Sequence, residues 1–309
     1  GMFCIALWDK QEKEFFLIRD QSGIKSVYYT FTNGRMVFSS ELKGVLADKK
    51  IARTIHRPAL EAYLRMRYVP EPLSIFEGVH KLPPGYYARI KGETMTLVSY
   101  FDVPLTPLVS GSRATMQDEV RHLVDTSVAR ELVSDRPVGL FLSGGLDSTI
   151  VLDAATRAQG QVETFSLRFE VTDEEEAEKF NTDADLAQKS ALHYKANHHE
   201  VLFSEKDFMR TLPEATYALD QPMGNATALA QLFLSRAARE RIVVALMGDG
   251  GDELFGGYPR YRLSRMMDTY QHLPRVARAL LAHTIRSAQK LNVPPGALRV
   301  EQFMFEKEA

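Results

Sequence analysis

The hydrophobic pattern changes character near Val103. Before it, short β-rich runs at 3–8, 15–18, 27–30, 36–38 and 86–90 stand between turn residues, among them Asn33-Gly34, Pro83-Pro84-Gly85 and Lys91-Gly92. This pattern predicts an antiparallel, layered unit. Two short helices are expected inside it, at 40–47 and at 57–66, the second opened by Pro58 in its first turn. The stretch 103–113 is rich in proline, serine and glycine and reads as a linker. The expected division is 1–104, a linker over 105–114, and 115–309.

Beyond the linker the period switches to alternating helix and strand. A helix is expected over 115–133, with Val120, Leu123, Val124, Val128 and Leu132 on one face, followed by a buried-type strand at 138–142. A helix at 148–159, ended by Gly160, and a strand at 162–169 complete a strand-helix-strand unit, whose right-handed crossover implies a parallel sheet. A helix at 186–192, a strand at 200–203, a helix at 226–241 and a strand at 242–247 continue the alternation. The second unit is therefore expected to be a doubly wound α/β domain. The residues after Tyr261 look helical and carry no motif.

Composition narrows the function classes. Of 309 residues, 45% are hydrophobic and 25% charged, the balance of a globular protein with a sizeable core. Lys plus Arg number 38 against 40 Asp plus Glu, so a net charge of -2 gives no general reason to expect nucleic acid or an anionic membrane as partner. The longest apolar runs, such as 242–247, are far shorter than the roughly 18 residues of a membrane span. The single cysteine, Cys4, excludes an internal disulfide framework and fits a cytoplasmic setting. It alternates with Phe3, Ile5 and Leu7, which leads us to expect a buried structural thiol. The chain opens directly into this strand-like run, and 300–309 has no stop signal, so truncation at both ends is expected.

Candidate chemistry concentrates in two glycine-rich loops, each following a strand. A loop between a parallel strand and its helix lies at the carboxyl edge of the sheet, where open α/β folds place ligands. Ser143-Gly144-Gly145-Leu146-Asp147-Ser148 is such a loop. The two glycines let the backbone approach a ligand closely, and the amides of the helix start suit an anion such as pyrophosphate. The hydroxyls of Ser143, Ser148 and Thr149 are further candidate donors. Asp147 would be repelled by phosphates unless a cation bridged them, which argues for magnesium. The second loop, Gly248-Asp249-Gly250-Gly251-Asp252-Glu253-Leu254-Phe255-Gly256-Gly257-Tyr258, sets five glycines among three carboxylates. A metal-phosphate role explains that combination better than a plain turn. His198-His199-Glu200 looks like a metal pair, but neighbours on a strand point to opposite faces. The acidic run 173–176 reads as a solvated loop.

The first loop resembles the pyrophosphate loop of the N-type ATP pyrophosphatases. With the second loop it resembles the synthetase domain of glutamine-dependent asparagine synthetases of the asparagine synthetase B kind. Arg19-Asp20 with Gly23, Lys25 and Tyr28-Tyr29, then Ser39-Ser40-Glu41-Leu42-Lys43, Tyr68-Val69-Pro70, Ile75-Phe76-Glu77-Gly78-Val79 and Lys81-Leu82-Pro83-Pro84-Gly85 are similar to the later part of that family's N-terminal-nucleophile glutaminase domain. The resemblance implies an adenine nucleotide alpha hydrolase-like α/β domain preceded by part of an α+β glutaminase domain. It further implies ATP and Mg2+, with Ser143 to Ser148 (Ser143, Gly144, Gly145, Leu146, Asp147, Ser148) on pyrophosphate and Leu142, Leu167 and Gly248 around the adenosine. Asp147 and Asp252 would meet the metal, and Asp249 and Asp252 the α-phosphate and the incoming substrate.

The implied reaction adenylates a carboxylate such as aspartate and passes it to ammonia derived from glutamine. The resemblance leaves a homodimer open as the assembly. In the family the nucleophile is a terminal cysteine at a position absent from this sequence, whose first residue is Gly1, so this chain is not expected to hydrolyse glutamine. The family's arginine for the substrate carboxylate has no counterpart in 223–227. Related enzymes that form other amides, lactams or cyclised peptides, and a non-catalytic paralogue, remain alternatives.

Overall fold

The computed structural model describes residues 1–104, 106, 110–171, 173–274 and 278. Its first part is antiparallel. β1 (Cys4–Asp9), β2 (Glu14–Arg19), β3 (Tyr28–Thr32) and β4 (Arg35–Ser39) are followed by α1 (Leu42–Val45) and α2 (Arg57–Met66), then β5 (His80–Lys81), β6 (Tyr86–Lys91) and β7 (Thr94–Ser99). One sheet runs β1-β2-β6-β7 and a second β4-β3-β5. Strand alternation divides the core between them. Tyr29 joins Leu17, Leu82, Ala88 and Ile90 between the two sheets, while the adjacent Tyr28 joins Leu42, Val45 and Ala59 of the helices on the other face.

Among the described residues β1 pairs only with β2. Its residues are exposed on both faces, including Ile5, Leu7 and Trp8. The expectation of a buried thiol therefore fails, because Cys4 on this edge strand is exposed. Atoms crowd the sulfur enough for desolvation to push its pKa up, which makes it a poor nucleophile.

Polar groups staple the first unit. Arg19, almost fully buried, donates from Nε to Lys25 O (2.7 Å), from Nη1 to Leu82 O (2.6 Å) and Glu71 Oε1 (2.8 Å), and from Nη2 to Gly23 O (2.6 Å). Asp20 accepts from the amides of Ser22, Ile24 and Lys25. Burial pushes its carboxyl up, yet these amides and that of Gly23 outweigh burial and hold its pKa below the usual value.

The second part is wound α/β. It consists of α3 (Arg113–Glu131), β8 (Val138–Phe141), α4 (Leu146–Gln159), β9 (Glu163–Phe169), α5 (Glu174–His193), β10 (Asn197–Phe203), α6 (Glu205–Ala218), α7 (Thr227–Ala238), β11 (Val244–Leu246), α8 (Gly251–Phe255) and α9 (Pro259–Gln271). The sheet is parallel throughout, in the order β10-β9-β8-β11. Val128, Leu140, Leu152, Ala187 and Ala191 join α3, α4 and α5 to β8, and Phe165, Leu234 and Ala238 join α7 to β9.

Three expectations change here. The run 173–176 is not a loop, because α5 begins at Glu174 and is much longer than the 186–192 expected. The sequence reading also missed α6, whose Ser204 and Asp207 form a capping box and which carries Pro213 in its interior. Residues 275–277 and 279–309, expected to be helical, lie outside the described residues. No helix among the described residues is long and apolar enough to cross a membrane.

Candidate nucleotide site

The strand order reverses between β8 and β11, which makes the crevice at their carboxyl ends the topological switch point of the sheet. Both glycine loops open into it. After β8, Leu142 donates its amide to Phe165 O (2.8 Å) and buries its side chain in the core, so it faces a ligand only through its backbone. Gly144 takes φ +73°, and a Cβ there would lie 2.5 Å from Ala187 N and from Leu186 Cβ, so α5 packs directly on the loop. Gly145 is the N-cap of α4.

The hydroxyls turn inward. Ser148 Oγ accepts from Ser143 N (3.3 Å), contacts Ser143 Oγ (3.1 Å) and lies 3.2 Å from Gly145 O, to which Thr149 Oγ1 also donates (2.8 Å). These bonds fix the shape of the loop. Thr149 N is satisfied by Gly145 O, but the amides of Leu146, Asp147 and Ser148 precede any intrahelical acceptor and form the anion-seeking end of α4. The hydroxyls of Ser143, Ser148 and Thr149, expected as phosphate donors, are here bonded to the loop itself.

The second loop closes against the first. A Cβ on Gly248 would fall 2.5 Å from Ser148 N and 2.8 Å from Asp147 C, and one on Gly251 would fall 2.5 Å from Asp147 Oδ2. Only glycine lets the backbone after β11 approach the start of α4 this closely. Gly250 (φ +95°) and Gly256 (φ +67°) begin and end α8, and Gly257 abuts the carboxylate of Asp252. Asp249 is exposed at the crevice rim. Leu167 is half-buried against the Phe165 and Leu234 cluster. Tyr258 Oη donates to Glu253 (2.8 Å), and the Arg260 guanidinium stacks 4.2 Å over the Tyr258 ring.

No group of three His, Cys, Asp or Glu side chains positioned to hold a metal occurs among the described residues. A cation beside Asp147 would therefore draw most of its ligands from phosphate oxygens, the way magnesium is held at nucleotide sites, and the donor set fits that role. The histidine pair is occupied elsewhere. His198 bridges Thr164 Oγ1 (3.0 Å) and Ser166 Oγ (3.1 Å), and burial lowers its pKa. His199 on the opposite face meets Glu163 Oε2 (2.7 Å).

A parallel sheet with two interlocking glycine loops at its switch point defines an α/β protein whose glycine-rich loops lie where open sheets of this kind place ligands. The sequence matches the asparagine synthase family over residues 119–306 and the glutamine amidotransferase domain over residues 1–101. The chain belongs to the asparagine synthase family. It is 31% identical over 284 residues to "asparagine synthetase 1" (glutamine-hydrolyzing) of Bacillus subtilis, covering 92% of this chain and 44% of that protein. It is 34% identical over 285 residues to a Mycobacterium tuberculosis protein provisionally named glutamine-hydrolyzing asparagine synthetase, covering 90% of this chain and 43% of that one. The chain thus spans less than half the length of these relatives.

Sequence reasoning did not foresee that Gly251 would seat the Asp147 carboxylate. It also did not foresee that Asp220 and Gln221 would reach into the first unit. A polar pair followed by proline, directly after an amphipathic helix, was the available signal for the second.

Proposed function

We propose that this chain carries the ATP-using half of an asparagine-synthetase-type amide ligase, together with part of its glutamine amidotransferase unit. A carboxylate oxygen of the substrate attacks the α-phosphorus of ATP, the bond from that phosphorus to the bridging oxygen breaks, and pyrophosphate leaves. Ammonia then attacks the acyl carbon, loses a proton and displaces AMP, giving the amide. Magnesium, when bound, neutralises charge on the polyphosphate. In this reading the chain's own contribution is positional. The amides of Leu146, Asp147 and Ser148 receive the departing pyrophosphate, the inward hydroxyls keep the loop in shape, and Gly248 and Gly251 hold Asp147 against the second loop. Asp249 and Asp252 are the acidic groups offered to the reacting end.

The observation that carries the reading is the contact of Gly248 and Gly251 with the start of α4 at the switch point. Aspartate is the first acceptor to test and glutamine the ammonia source. The lack of a cation in 223–227 favours including other carboxylates in the same assay.

Calorimetry with a non-hydrolysable ATP analogue should show magnesium-dependent binding, weakened about tenfold or more by Asp147→Ala, in the range for losing a charged contact. Turnover, assayed with a carboxylate substrate and ammonia, should yield AMP and pyrophosphate. Binding indifferent to both magnesium and Asp147, or ADP and phosphate as products, would refute the proposal.

A further inference from the structure

The segment that follows α6 leaves the second unit and is bonded into three separate pieces of the first. Asp220, at φ 63° and with its side chain 7% exposed, accepts from Leu42 N (2.7 Å) and Lys43 N (3.3 Å) and pairs with Lys43 Nζ (3.0 Å). Gln221 Oε1 accepts from Ile75 N (3.3 Å). Gly224 donates its amide to Arg67 O (2.8 Å), where a Cβ would lie 2.8 Å from Arg67 Cβ. Arg67 is the left-handed C-cap of α2, so the strap grips the end of one helix, the start of another and the loop between α2 and β5. Asp220 and Gln221 line a cleft of ≈ 550 Å³ whose walls come from both units.

The strap does not end at the interface. Asn225 Oδ1 accepts from the amide of Thr227, the first residue of α7, and Gln231 of α7 donates to Met247 Sδ (3.1 Å), the residue before Gly248. We propose that residues 220–224 form a strap through which the amidotransferase unit sets, by way of α7, the position of the second glycine loop, with Asp220 as the positioning residue. The strap ties two units that each have their own core, and its bonds to the first unit come from the Asp220 carboxylate together with Gln221 and Gly224. Loosening that carboxylate should therefore be felt at Gly248–Gly251. The inference rests on contacts and makes no use of the reaction proposed above.

Hydrogen exchange of the nucleotide-free chain tests it. Asp220→Ala should speed exchange about tenfold at Leu42, Lys43, Ile75 and Gly224, the size set by losing hydrogen bonds to a charged group, and by a smaller but measurable factor in peptides covering 231–251. Peptides of β8 and β9 should keep wild-type rates. Asp220→Asn, which retains an acceptor, should restore part of the protection at both places. Acceleration confined to the contacts in the first unit would reduce Asp220 to a local cap and overturn the proposal. Should Asp220→Ala fail to fold, Lys43→Met removes the ammonium that Asp220 shares with Glu41 while keeping the backbone bonds from Leu42 and Lys43 to Asp220. It should give the same pattern at lower amplitude, and wild-type exchange over 231–251 in that variant would overturn the proposal equally. Because no nucleotide is present, either outcome leaves the ATP reading to stand or fall on its own assay.

Discussion

The two units dispose of their polar groups in opposite ways. In the first, charged side chains turn onto the chain itself: Arg19 is spent on three carbonyls and Glu71, and Asp20 on three amides of one turn. In the second, the hydroxyls around Gly145 are spent internally so that the amides beginning α4 stay open toward a crevice. Satisfied polar groups fix a shape, whereas ordered but unsatisfied ones at a switch point mark where a ligand supplies the missing partner. Glycine also serves different ends in the two units. Gly85 and Gly92 make turns in the first unit, while Gly248 and Gly251 in the second are sites of contact with another loop.

The sharpest way to break this comparison is to empty the staple in the first unit. Arg19→Met should destabilise the protein by about 3–5 kcal/mol, because Glu71 and the carbonyls of Gly23, Lys25 and Leu82 lose their partner together in a buried place. Urea unfolding followed by the fluorescence of Trp8, the sole tryptophan, reports on this unit. A midpoint unchanged from wild type would show that the arginine is ornamental and that the contrast drawn here is false.

In the second unit the matching substitution is Gly248→Ala. A methyl 2.5 Å from Ser148 N meets backbone, which cannot swing aside, so the two loops must separate. The expected stability cost is about 1–3 kcal/mol, the range for overpacking, with loss of nucleotide-analogue binding well beyond what that cost explains. Calorimetry on folded protein separates the two effects. Wild-type affinity in this variant would mean that the loops do not have to touch for the site to work.

What the sequence disclosed follows the same division. Both glycine loops and their place at a parallel sheet's carboxyl edge were legible, because glycine clusters after apolar strands have few other uses. The sheet order was not, since nothing local in 138–142 or 242–247 says that β8 and β11 are neighbours. The acidic run 173–176 misled because charge density is a surface signal, and the start of a solvated helix is a surface as much as a loop is. Helix α6 was missed behind Pro213, although Ser204 and Asp207 announce its start. Cys4 was misplaced because the alternation of Phe3, Ile5 and Leu7 records a need to pack without naming what covers β1. Asp220 escaped notice because its partners, Leu42 and Lys43, lie far away in sequence.

The smallest expected effect is a pH dependence that belongs to the first unit alone. Glu14 on β2 accepts from Arg89 Nε (2.8 Å) and Nη2 (2.7 Å) and pairs with Lys91 Nζ (2.9 Å). The hydrogen bonds from Arg89, followed by those from Lys91, hold its carboxyl at about 2 against an ordinary value of 4.5. A carboxylate whose pKa is lower folded than unfolded binds fewer protons in the folded state. Its contribution is therefore complete above pH 4.5 and is lost as the pH falls from there toward about 2. Glu14→Gln keeps the shape and cannot ionise. The difference in urea midpoint between wild type and Glu14→Gln should be constant from neutral pH to about pH 5, narrow below 4.5 and approach its minimum near 2. The crevice of the second unit lies on a different sheet, so nucleotide-analogue binding by the folded variant at neutral pH should match wild type. A midpoint difference that stays flat across the acid range would show that the two cations do not hold this carboxylate, and that Glu14 contributes shape without charge.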